Sequence, residues 1–143
     1  MNKKGRLIMS TPTTPTSSFK IRFSSVVLDS TDSNRLADFY AHLLGWQKHA
    51  KDPEWIYVRN NSEYPLIVFQ QTEDYVPPVW PNAPGQQQIS AHIDFGVSNL
   101  SEAVEHALAC GAKKAEAQYS ERWTVMIDPA GHPFCLVQWS NLE

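Results

Sequence analysis

The stretch Asp128-Pro129-Ala130-Gly131-His132-Pro133-Phe134-Cys135-Leu136-Val137-Gln138-Trp139 decides how the chain is read. Its first half is a turn: Asp128 can bond back to the backbone, Pro129 pre-sets φ, and Gly131 offers a positive φ. Its second half is a short apolar run rich in β-formers, and so a strand. Alternation along that strand sends Cys135, Val137 and Trp139 to one face and Phe134, Leu136 and Gln138 to the other.

Working outward from this strand, the same order of elements occurs twice. The first set begins with a strand at 19–29, followed by N-cap candidates Ser30 to Ser33. Leu36, Phe39, Tyr40, Leu43 and Leu44 then recur at helical spacing, and Gly45 stands where a left-handed cap belongs. Strands at 46–51, 55–59 and 66–71 complete it. The second set has a strand at 89–97, a helix at 100–110 ended by Gly111, and strands at 112–118, 122–127 and 133–139. Gly45 falls on Gly111, Trp55 on Trp123 and Pro65 on Pro133, at offsets of 66, 68 and 68. Ser25 falls on His92 if the second strand–helix loop is one residue shorter.

These matches describe an internal duplication of a βαβββ unit and an α+β fold class. One helix covers one face of each sheet, so the opposite faces must meet or curl round a shared space. The expectation is two tandem modules, 19–71 and 89–139, forming a curled mixed sheet around a cavity with the helices outside. The connection 72–88 carries Pro77, Pro78, Pro81 and Pro84, and reads as a linker or a semi-rigid flap over the cavity mouth. Residues 1–18, with the polar tract Thr11 to Ser18, read as a disordered tail ahead of a domain at 19–143.

Bulk chemistry narrows the partners. A formal charge of −3 and a pI near 5.9 give no basic footprint for nucleic acid. No apolar run approaches the length of a membrane span. Cys110 and Cys135 are far apart and no secretory signal precedes them, so they read as reduced thiols of a cytoplasmic protein.

Strand parity picks out the residues of the inner face. With Ile93, Phe95 and Val97 under the second helix, the cavity receives Ser25, Val27, His92, Asp94, Cys135 and Val137. Trp55, Tyr57 and Trp123 form its walls, with Phe69 as a further candidate. An aromatic cavity with few polar groups is the common form of a small-molecule site. His92 suits acid–base chemistry near neutral pH, with Asp94 on the same strand face. The alternative is a satisfied histidine at the cavity floor. Cys135 would be a nucleophile if His92 lowered its pKa, and otherwise an inert buried thiol.

Three motifs carry a resemblance: Asp38-Phe39-Tyr40 through Leu44-Gly45-Trp46, His92-Ile93-Asp94-Phe95 ahead of a helix, and Asp128 to Phe134. Together they resemble the vicinal oxygen chelate superfamily of glyoxalase I, bleomycin- and fosfomycin-resistance proteins and extradiol dioxygenases. Phe69-Gln70, Pro78-Val79-Trp80-Pro81 and Gln86-Gln87-Gln88 are similar to its glyoxalase-like domain proteins. The resemblance spans 19–139. It implies four strand positions that hold a divalent metal (zinc, nickel, manganese or iron) in the metal-dependent members. Carried over, they fall on Ser25, a residue within 66–71, His92 and Cys135. Gln70 is the donor available in the second position, although it overlays Gln138 rather than Cys135. Ser25 is a poor ligand, and a thiol stands where a carboxylate is usual. The expectation is therefore a cavity without a resident metal, with His92, Gln70 and Cys135 as the ligands if one binds. The function expected is binding of a small, partly aromatic ligand, with no reaction assigned. A metal-dependent lyase or dioxygenase-type enzyme centred on His92 is the alternative, and an apolar homodimer face is a third reading.

Overall fold

The computed structural model describes residues 18–139. The reading of 1–18 as a disordered tail falls almost wholly outside that range. The elements are β1 Ser25–Ser30, α1 Ser33–Leu44, β2 Gln47–Asp52, β3 Trp55–Arg59 and β4 Leu66–Gln71. The second set is β5 Ile93–Val97, α2 Leu100–Cys110, β6 Lys113–Lys114, β7 Trp123–Ile127 and β8 Pro133–Gln138. The duplicated βαβββ order is thus the observed one, in two four-stranded sheets ordered β1-β4-β3-β2 and β5-β8-β7-β6. In each, the first strand pairs parallel with the last and the remaining pairs are antiparallel.

Both helices are fixed at their ends by local chemistry. The Asp32 carboxylate accepts from Arg35 N at 3.0 Å, and Asn99 Oδ1 accepts from Glu102 N at 3.1 Å. Gly45 and Gly111 end the helices in the left-handed region, at φ of 66° and 113°. A second device was not expected from sequence. Gln71, the last residue of β4, accepts from Ser33 N and Ser33 Oγ at 2.9 Å and donates to Thr31 O. Gln138, the last residue of β8, accepts from Leu100 N at 2.9 Å and donates to Ser98 O at 2.6 Å. Each module thereby pins the start of its helix to the end of its last strand.

These contacts correct the overlay of the two halves. Asp32 and Asn99 cap their helices 67 positions apart, whereas Gly45 and Gly111 lie 66 apart. The missing residue therefore lies in α2, which has 11 residues to the 12 of α1, and not in the preceding loop. In β4 and β8 the true offset is 67. Ile67 and Phe69 face the helices as Phe134 and Leu136 do, and Gln71, not Gln70, corresponds to Gln138. The β3–β4 connection is one residue longer than β7–β8, and a one-residue slip turns every side chain over.

That slip removes Phe69 from the candidate cavity walls. It is 2% exposed, pairs in register with Leu28 and Ile56, and its ring stacks on Tyr40 with centroids 5.8 Å apart. The core is continuous across the modules: Tyr40 of α1 also meets Phe95 and Phe134 of the second module. The first strand starts later than its apolar pattern suggests, at Ser25, and Phe19, Ile21 and Phe23 stand exposed. No helix among the described residues is long and apolar enough to cross a membrane.

Replacing Gln71 or Gln138 with Ala should each lower unfolding free energy by about 1 kcal/mol, the usual worth of a helix cap. The two losses should add, since the sites share no partner. Urea denaturation of the single and double variants measures both terms.

Candidate functional site

The inner sheet faces bring together three donor groups from neighbouring strands of the second module. Asp94 of β5 sits opposite Cys135 of β8 in the parallel ladder. His92, just ahead of β5, places Nε2 3.1 Å from Asp94 Oδ1. One donor atom from each of His92, Asp94 and Cys135 lies within 4.8 Å of the others. His92 and Asp94 are exposed, and Cys135 is buried. Cys135 therefore stands near His92, but burial and Asp94 govern its thiol. Burial first, and then the Asp94 charge and its hydrogen bond, push the Cys135 thiol up to about 11. A nucleophile needs the opposite shift, so the environment does not activate Cys135.

The predicted walls on β3 and β7, and other inner-face side chains, are partly exposed. Val27, Trp55, Trp123 and Trp139 are 50%, 51%, 39% and 56% exposed, and Tyr57 stacks on His49 at 4.8 Å. The Trp139 ring lies flat against β5, where a Cβ on Gly96 would come within 2.6 Å of it; only glycine fits there. Ser25 and Val137 are partly buried on the same faces. The sequence reading missed Trp80. This residue of the connection packs on Ala115, Val125 and Cys135 of the second module's inner face, and its Nε1 donates to Ala117 O at 3.0 Å. A tryptophan between prolines was the available signal. The connection is further fixed where Pro77 meets Gly131, whose φ of 92° and 2.6 Å clearance both exclude a side chain.

The donor set can be tested against the four metal positions. With the register corrected, the positions equivalent to His92 and Cys135 in the first module are Ser25 and Val68. Valine has no donor, and a serine hydroxyl is a weak one. Gln70 faces inward beside Asp29, two residues past Val68. A metal site shared by both modules does not fit these residues. Among the described residues, the groups that could hold a divalent ion are His92, Asp94 and Cys135, all from one module.

A cavity of about 620 Å³ lies between β1 and β5 beneath the connection. Of the sequence-derived candidates, only Val27 and His92 line it. Its other walls include Asp29, Thr72, Tyr75 and His132, with Tyr40 and Phe134 at the core side. Behind it, the buried Asp128 carboxylate accepts from Tyr40 Oη at 2.7 Å and from Ala130 N and His132 N at 2.9 and 3.0 Å. His132 Nδ1 is 2.9 Å from the same carboxylate, and the Tyr75 ring covers the imidazole at 5.3 Å. Burial, followed by the Asp128 charge, raises the Tyr40 and Tyr75 hydroxyls, so both stay protonated.

A family model described as a glyoxalase-like domain matches residues 25–137. The chain belongs to that family. Its fold is that of the glyoxalase/bleomycin resistance/dioxygenase, or vicinal oxygen chelate, superfamily. A superfamily enzyme from Burkholderia phytofirmans superposes with a TM-score of 0.61 at 18% identity, covering 82% of this chain and 98% of its own. The fosfomycin resistance protein of Listeria monocytogenes gives 0.62 at 13% identity, covering 86% and 97%. Leishmania major glyoxalase I, which is trypanothione-dependent, gives 0.59 at 17% identity, covering 83% and 87%. At these identities the likeness is one of fold. None of the curated proteins compared matches the chain.

Thiol chemistry provides a test of the cluster. Cys135 should react slowly with a disulfide reagent at pH 8, its rate climbing toward pH 11 as the thiolate forms. Asp94→Asn removes the repelling charge and should move that profile to lower pH. Measuring rates in a Cys110→Ser background isolates the Cys135 signal.

Proposed function

We propose that this glyoxalase-like domain binds a small, partly aromatic molecule on the inner faces of its two sheets. The observation that supports the reading is the set of partly exposed aromatic rings on the strands, Trp55, Tyr57, Trp123 and Trp139, together with the cluster of His92, Asp94 and Cys135. Rings held on strands give a rigid apolar surface, and the three polar groups give orientation. The exposed apolar side chains, Val27, Trp55 and Trp139 among them, suit a second copy of the chain as cover, and the working form we propose is a homodimer. Two unpaired cysteines suit a reducing, cytoplasmic compartment.

Titration with 2-naphthol should quench tryptophan fluorescence saturably. Trp55→Ala and Trp123→Ala should each weaken binding by about 2- to 10-fold, the range of one aromatic contact. Unchanged affinity in both variants would sink the reading. Sedimentation velocity gives the copy number in the same samples.

A second reading has its own observation, the His92–Asp94–Cys135 cluster. There the domain carries a thiophilic divalent ion on one module and is an enzyme centred on His92, of lyase or dioxygenase type. Elemental analysis of protein purified without chelator decides between them. The binding-protein reading expects substoichiometric metal that is indifferent to His92→Ala. One ion per chain, lost in that variant, establishes the second.

A further inference from the structure

Ahead of β1, Phe19, Ile21 and Phe23 alternate with Lys20 and Arg22, and all three apolar side chains are more than half exposed. Such alternation is the pattern of a strand with one apolar face, yet the segment joins neither sheet. It is held at its base all the same. Ser24 O accepts from Leu66 N at 2.9 Å, and the Arg22 guanidinium lies over the Tyr64 ring at 4.0 Å. Residues 18–24 thus form an arm with an apolar row turned to solvent.

Topology puts a matching surface at the same end of the first module. β1 is parallel to β4, and β2 and β4 are each antiparallel to β3, so Ser25 and Gln47 begin their strands at one end. α1 finishes there, and its Leu43 and Leu44 border a groove of about 320 Å³ whose other walls include Phe95, Val97, Ala103 and Leu136. No lysine or arginine lines the groove or stands in α2, whereas Glu102 and Glu105 are exposed on α2 beside Ala103 and His106. The arm carries two cations and no acid. The two surfaces therefore match in charge as well as in apolar character.

The arm does not fill the groove of its own chain. Its anchors, Tyr64 and Leu66, lie on the β4 side of β1, whereas β5 and the groove lie toward the other edge. Two arms are poor partners for each other, since a ladder centred on Ile21 sets Lys20 against Arg22. We propose that the arm seats Phe19, Ile21 and Phe23 on the groove between α1 and α2 of a second copy of this chain. The inference rests on the homodimer proposed above and assigns the contact that holds it. Because arm and groove share one end, a two-fold axis there exchanges both arms at once and closes the pair. Three large side chains at this exposure present roughly 400 Å² per arm. Two arms and the surfaces they cover come to roughly 1,600 Å², the size of a standard stable interface.

The groove lies on the helix side of the sheets, so substitutions separate it from the inner faces. Sedimentation velocity on the full chain at micromolar concentration should show a dimer. Phe19→Ser with Phe23→Ser should give a monomer with unchanged circular dichroism and unchanged 2-naphthol binding. Lys20→Glu with Arg22→Glu should weaken the dimer by about tenfold or more, and adding Glu102→Lys with Glu105→Lys to the same chain should restore it. A wild type that stays monomeric overturns this contact and the homodimer together. A dimer that survives the arm substitutions overturns this contact alone, and its loss on Trp55→Ala then assigns pairing to the inner faces. Failure of the reversed charges to restore the dimer overturns α2 as the surface that receives the arm.

Discussion

The two halves of this domain share no strand ladder, so their union depends on what crosses the core between them. A buried contact there is polar. Tyr40, from the first helix, donates to the Asp128 carboxylate in the β7–β8 turn of the other half, across 88 residues of sequence. A buried carboxylate is tolerated only when its lone pairs are met, and this one is met by Tyr40, Ala130, His132 N and the His132 ring. The same bonds close the turn, set where β8 begins, and so place Phe134 in the core and Cys135 on the inner face. They also hold His132 against Tyr75. One interaction thus serves the join, the start of the last strand and the back wall of the cavity.

Much of the architecture was legible because it rests on local chemistry. Asp32, Asn99, Gly45 and Gly111 announce helix ends by side-chain type alone, and they are the caps observed. Register was less legible. Pro65 and Pro133 look like partners, but one extra residue in the β3–β4 connection shifts the last strand. Phe69 consequently belongs to the core, and Gln71 takes the role that Gln70 was compared for. An overlay by residue type carries no count of turn residues, and strand parity reverses with each one. His92, Asp94 and Cys135 do lie together, and the Cys135 thiol is raised first by burial and then by Asp94, which lies across the ladder from it; neither its burial nor that pairing is written in the strand alternation. Trp80 and the cavity under the connection depend on where an irregular segment lands, and no periodic pattern encodes that.

The duplication did not share its chemistry equally between the halves. His92, Asp94 and Cys135 crowd the second module, while the equivalent positions of the first hold Ser25, Val27 and Val68. What both halves retain is scaffold: paired caps, paired glycines, and a terminal glutamine reaching back to its helix. A fold of this kind tolerates exchange of inner-face residues, because they contribute little to the core on the other side of the sheet. That tolerance explains how proteins under 20% identical superpose over more than four-fifths of this chain.

Two open sheets have four edges, and they are treated differently. The outer edges, β2 and β6, carry Lys48 and Lys51 and the pair Lys113–Lys114; β6 is only two residues long, and β2 has a register irregularity. Lysines, brevity and irregularity all discourage another chain from adding as a further strand. The inner edges, β1 and β5, contain no lysine and read Ser-Val-Val-Leu-Asp-Ser and Ile-Asp-Phe-Gly-Val. Their protection comes from position, since both border the space roofed by the 72–91 segment that Trp80 and Pro77 hold down. That segment therefore guards solubility: a chain that lost its anchorage would present two largely apolar, lysine-free edges on which a neighbour could begin to polymerise.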